Sequence, residues 1–208
     1  EGYTVGQAVS FLQQSMKDIN NPTMSYDWSG QTREFLTSGD ALAKAFVLAV
    51  LFIYLVLAAQ FESFRDPLII MFSVPLAMLG AVLALKFTGG SLNVYSQIGL
   101  ITLVGLITKH GILLVEFANQ LQEQGRNKIQ AVIESASLRL RPILMTTAAM
   151  VLGAIPLAMA IGAGAEVRHP IGWVIVGGMT IGTLFTLFVI PCLYLLIGRV
   201  HQHESKTV

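Results

Sequence analysis

The stretch from Val94 to Phe117, VYSQIGLITLVGLITKHGILLVEF, constrains the fold most, because it sets a lysine deep inside an apolar run. As a helix its 24 residues extend about 36 Å, enough to cross a bilayer's hydrocarbon core of about 30 Å. Lys109 at that depth costs at least about 2.5–3.5 kcal/mol. Helical turns from Lys109 bring Ile98, Thr102, Gly105, Ile112 and Glu116 onto the same face, while most of the remaining surface is Leu, Ile and Val. This polar stripe is expected to face protein or a wet cavity rather than lipid. Lys109 then reads as part of an ion or substrate pathway. Against this stands a lysine that is only structurally paired, or that snorkels toward the nearer helix end about 10 Å away, at Glu116. Glu116 lies close enough to that end to be a hydrated interfacial carboxylate.

Only 12% of the chain is charged and 54% is hydrophobic, with a mean hydropathy of +0.67, whereas soluble domains carry about 25% charged residues. The composition is that of a membrane protein. A net charge of +1 and the lack of a basic run argue against a nucleic-acid partner. The single cysteine, Cys192, excludes an intrachain disulfide and reads as packing; no metal-ligand motif is present. The chain opens on polar, foldable sequence without Met or a signal peptide, and is expected to be a piece of a larger protein.

Residues 1–40 read as the end of a soluble domain, a short α/β piece. Val5, Ala8, Val9, Leu12 and Met16 have helical spacing, Asn20-Asn21-Pro22 breaks the helix, and Met24–Trp28 alternates as a strand does. Five membrane-spanning helices are expected within 41–200, at about 43–61, 67–87, 94–117, 142–161 and 170–197. Pro67 suits a first helical turn, and Pro75 is expected to kink the second span. Gly89-Gly90-Ser91 makes a tight turn. Residues 119–141 read as the one sizeable loop, with Ile129, Val132, Ile133 and Ala136 forming the edge of an amphipathic helix. Arg139, Thr146 and Gly153 recur every seven residues, on one face if the fourth span continues back through Arg139. Gly178 and Gly182 form a small-xxx-small pattern. With Gly105 and Gly153 they are expected to let helices pack closely. Residues 201–208, with His201, His203 and Lys206, are a polar tail.

Loop charge orients the chain. Arg65, Arg126, Lys128, Arg139, Arg141, Arg199 and Lys206 fall on one side, against Lys44, Lys86 and Arg168 on the other. The positive-inside rule puts the 119–141 loop and the tail in the cytoplasm, and residues 1–40 outside.

The ordered segments AAQFESFRDP, GLITKHGILLVEFANQ, LRLRPILMTT, IGAGAE and VGGMTIGTLFTLFVIP resemble the resistance-nodulation-division (RND) multidrug efflux pumps of the hydrophobe/amphiphile branch. The resemblance runs along essentially the whole chain. It implies an all-α membrane fold equivalent to transmembrane helices eight to twelve, preceded by the last segment of the periplasmic porter domain. It also implies proton antiport in a bacterial inner membrane without a cofactor, the proton gradient being the energy source. The implied partners are the N-terminal half of the same pump, further copies in a homotrimer, a periplasmic adaptor protein, an outer-membrane channel and membrane lipids. In this family a lysine on the tenth helix pairs with two membrane aspartates; Lys109 matches it. Arg139 and Thr146 match an arginine and a threonine of the same proton relay. His110-Gly111 departs from the Asn-Ala of many relatives, and His110 reads as a packing or interhelix hydrogen-bonding residue, with a second proton site as the alternative. Val167–Pro170 also departs, at the periplasmic turn. Competing readings are a passive scaffold or assembly subunit, and a relative exporting metal ions or lipids. The scattered methionines give metal export little support. No nucleophile–base pair, metal motif or phosphate loop points to an enzyme.

Overall fold

A computed structural model describes residues 5–19 and 26–198. The helices are α1 (Val5–Ile19), α2 (Gln31–Phe61), α3 (Arg65–Met71), α4 (Ser73–Phe87), α5 (Val94–Glu123), α6 (Lys128–Ala158) and α7 (Ala165–Ile197). Five segments are long and apolar enough to cross a membrane: Ala41–Phe61 of α2, α3 with α4 over Arg65–Phe87, and α5, α6 and α7. The chain is thus an all-α membrane fragment.

The described residues contain no strand. Met24 and Ser25 of the expected strand lie outside them, and residues 26–29 have no regular structure. The physical reason is that a strand's N–H and C=O groups need a neighbouring strand, which no described segment offers. The tail at 201–208, with Arg199, also lies outside the described residues.

Pro75 cannot donate a backbone hydrogen bond to Met71, and the second span divides there. The break falls at Phe72, whose N–H reaches back to Leu68 O (3.2 Å) and Ile69 O (3.3 Å). The 119–141 loop shrinks to a turn at 124–127: α5 runs on to Glu123, and the amphipathic segment belongs to α6, which continues through Pro142 as one 31-residue helix. Gly125, at φ 89°, closes α5. Its N–H bonds to Gln122 O at 2.9 Å and that of Arg126 to Leu121 O at 3.1 Å, the paired bonds of a Schellman cap. Gly89 (φ 67°) ends α4 in the same way, with Gly90 N–H 2.8 Å from Leu85 O. A capping box then starts α5: Ser96 N–H donates to Asn93 Oδ1 and Asn93 N–H to Ser96 Oγ, each at 2.8 Å. α7 starts at Ala165, five residues before Pro170. Arg168 ties down the preceding turn by donating to Ala163 O at 2.7 Å and Gly164 O at 3.3 Å.

α7 is the central helix, packed against α4, α5 and α6. Gly178 lies against Leu103 of α5, and Gly182 lies so close to α4 that a Cβ would come within 2.8 Å of Ala77 Cβ. Gly105 and Gly153, by contrast, have open space where a Cβ would project. α2 is the outlier. It packs on α5 and α3, and almost none of its apolar span is buried.

Candidate functional site: a lysine face and two buried polar clusters

Lys109 lies about 22 Å along α5 from Val94 and is exposed, as are Thr102 and Gly105 on the same face; Ile112 and Glu116 are half-buried. Thr102 spends its hydroxyl on Ile98 O at 3.0 Å. Among the described residues, Lys109 has neither a hydrogen bond nor an ion pair; the described ion pair joins Arg126 to Glu134 at 3.5 Å.

On α6, Thr146 is half-buried and its hydroxyl bonds back to Ile143 O at 3.0 Å. Arg139 is half-buried too, its guanidinium carbon 4.4 Å from the centroid of the Phe117 ring on α5, a cation–π contact. Its Nε is buried without a hydrogen-bond partner among the described residues.

The next residue along each helix turns inward. His110 is 0% exposed and sits between two threonines. Thr147 Oγ1 of α6 is 3.4 Å from Nε2, and Thr183 Oγ1 of α7 is 3.3 Å from Nδ1. The two hydroxyls are 3.3 Å apart, and Thr147 also donates to Ile143 O at 2.9 Å. The imidazole therefore lies within hydrogen-bond distance of side chains on two other helices. Lys109 and Thr146 each directly precede a member of this trio, on helices that pack against each other. The trio lies between two apolar clusters, one with Ile107 and Met179, the other with Leu114 and Ile190. His110→Leu is expected to destabilise the folded protein by about 1–3 kcal/mol, since it strips a buried partner from two hydroxyls. A lowered melting temperature in detergent, less lowered for His110→Asn, checks this; an unchanged one would show that the threonines satisfy each other.

A second buried cluster, at the Asp66 end of the bundle, escaped the sequence reading. Asp66 of α3 is 0% exposed. Its Oδ2 accepts from Asn119 Nδ2 of α5 at 3.2 Å, and its Oδ1 is buried without a partner among the described residues. Tyr194 OH of α7 donates to Asn119 Oδ1, and Gln122 Nε2 donates to Tyr194 OH at 2.7 Å. Lys128 Nζ sits 5.8 Å from the Tyr194 ring centroid and donates to Leu195 O (2.9 Å) and Gly198 O (2.8 Å), closing the end of α7. The available signal was the three-residue spacing of Asn119 and Gln122, which puts both on one face once the segment is helical.

No group of three or more His, Cys, Asp or Glu side chains that could hold a metal ion occurs among the described residues.

The sequence pattern of the AcrB/AcrD/AcrF family matches residues 1–198. An uncharacterized transporter of Haemophilus influenzae is 51% identical over 99% of this chain and 21% of its own length. The toluene efflux pump membrane transporter TtgB of Pseudomonas putida is 39% identical over 95% of this chain and 19% of its own length. TtgE, a second toluene efflux pump membrane transporter of that species, is 38% identical over 99% of this chain and 20% of its own length. The chain thus spans about a fifth of the length of the curated relatives it matches. Together with the five spans and the lysine-bearing helix, this match shows that the chain belongs to the AcrB/AcrD/AcrF family of RND efflux transporters.

Proposed function

We propose that this chain is the part of a proton-driven efflux transporter in which Lys109 senses the protonation of membrane carboxylates. The observation that carries the reading is an exposed lysine, without a described partner, midway along an apolar helix. An ammonium left so in lipid is costly, so its face is covered by acidic groups on a helix outside this stretch. When those carboxylates are ionised, charge pairing holds Lys109 between them. Their protonation weakens the pair and frees the ammonium to turn toward Thr146 on the neighbouring α6. Breaking a buried pair on one side costs about 3–5 kcal/mol, enough to shift helix packing between two states. Arg139, held against Phe117 near one end of the bundle, serves proton movement at the cytoplasmic mouth. The electrical part of the gradient supplies about 2.3 kcal/mol per charge per 100 mV.

The transported compounds are drugs or other amphiphiles. The transporter works as a homotrimer in the bacterial inner membrane, with a periplasmic adaptor and an outer-membrane channel, and residues 1–40 belong to its periplasmic porter domain. Support comes from family membership and from relatives named as toluene efflux pumps. The full-length transporter in sealed vesicles is expected to move a fluorescent amphiphile when a pH gradient is imposed, and to stop when a protonophore collapses it. Transport indifferent to the gradient would remove the antiport reading.

A further inference from the structure

A movement of the lysine helix can reach α2 in two ways, by direct packing of α2 on α5 and through α3, and the polar cluster at the Asp66 end lies on the second. α2 runs from residue 31 to the α2–α3 corner, and its contacts in the bundle are with α5 and α3. The corner itself is braced. Glu62 adopts a left-handed conformation (φ 47°), Tyr54 OH of α2 donates to Phe64 O at 3.3 Å, and Ser63 Oγ accepts from Arg65 N–H at 3.3 Å. α2 and α3 are thereby joined by more than their covalent link.

α3 in turn is fixed to α5 at two points. Its Ile70 lies against Gly111, where a Cβ would come within 3.0 Å of Ile70 Cγ2. Eight residues further along α5, about 12 Å, Asn119 holds the buried carboxylate of Asp66. Asn119 is held at its other end by Tyr194, so the amide is fixed in orientation and cannot be donated elsewhere without breaking two contacts. A charge-bearing group buried with one donor makes that donor expensive to lose.

We propose that Asp66 and Asn119 form a coupling contact, positioning residues that transmit displacement of the Lys109 helix to the α2–α3 corner and hence along α2. The inference rests on the antiport reading and adds residues outside the proton relay to it. It separates turnover from binding: loosening the contact removes the route through α3 and leaves α2 to follow α5 only through their direct packing.

The test uses the full-length transporter in proteoliposomes, with substrate-dependent initial rates, the amount of folded protein and its melting temperature measured for each variant. Asn119→Asp sets two carboxylates side by side and is expected to lower kcat about tenfold with KM unchanged. Asp66→Asn keeps an acceptor for Asn119 and is expected to stay within about twofold of wild type. The swap, Asp66→Asn with Asn119→Asp, rebuilds the hydrogen bond in reverse and is expected to recover kcat to within about threefold. Asn119→Ser, too short to reach Asp66, replaces Asn119→Asp if the latter fails to fold, and is expected to show the same loss of kcat. Normal kcat in both Asn119 variants would overturn the proposal, as would a swap that fails to restore it. A loss that follows the amount of folded protein would reduce the contact to a folding brace and overturn it too. Wild-type transport that ignores the pH gradient would instead fault the antiport reading, and the swap would still report on the contact.

Discussion

Lys109→Ala in the full-length transporter is expected to abolish proton-driven efflux while the protein still folds. The two halves of that outcome have separate physical causes. Within this chain the Lys109 side chain is exposed and has no hydrogen bond or ion pair among the described residues, so its removal breaks no described polar contact with α4, α6 or α7. The membrane carboxylates proposed to face it, however, would lose their counter-charge. Leaving buried charge uncompensated costs about 3–5 kcal/mol, or a rate loss of roughly 100-fold or more if the pair differs between transport states. Lys109→Arg is expected to recover little, because a planar guanidinium carries its charge further out and binds carboxylates as a fork rather than as a point charge. Efflux of a fluorescent amphiphile, normalised to folded transporter, decides the matter. Export at wild-type rates by the alanine variant would remove Lys109 from the mechanism; loss of folded protein would make it a structural ion-pair partner instead.

Legibility of the fold followed the reach of each signal. The spans could be read because a long apolar run has few fates other than burial in lipid. Their ends were less legible. Polar residues such as Asn119, Gln120 and Gln122 read as a loop, yet polarity does not stop a helix. α5 stops where Gly125 can adopt a positive φ and accept the Schellman bonds. Pro142 and Pro170 looked like starts, but both sit inside helices here, each removing one backbone donor.

The site divides along the same line. Lys109 could be singled out because a single charge in an apolar run is conspicuous, and the family resemblance drew in Arg139 and Thr146. The partners of His110 could not be read. Thr147 and Thr183 are remote in sequence and, taken alone, are unremarkable threonines in apolar helices, where a hydroxyl can bond back to its own turn. Asp66 was hidden for a similar reason: next to Arg65 at a helix start it looks like an interfacial charge, and only the packing of α3 on α5 buries it.

Gly172→Val is expected to prevent assembly of the helix bundle almost completely, and the reason lies in what the new side chain would meet. A Cβ at Gly178 would meet the end of Leu103, a side chain rather than backbone. At Gly172 it would run into the backbone of α6, at Ala158 and 2.7 Å from the Leu157 carbonyl carbon. Backbone cannot change rotamer, so α6 and α7 must separate over their whole crossing and give up the contacts around it. Overpacking costs about 1–3 kcal/mol where side chains can yield; here they cannot, so a substantial part of a typical total stability of about 5–15 kcal/mol is at stake. Even Gly172→Ala is expected to reduce the folded yield, because the obstruction begins at Cβ. Gly153→Ala on α6 is the matched control, since a Cβ there projects into open space among the described residues. Folded protein per unit of membrane, with its melting temperature in detergent, is the measurement. Equal yields for the Gly172 and Gly153 variants would mean that the α6–α7 crossing does not depend on backbone contact at Gly172.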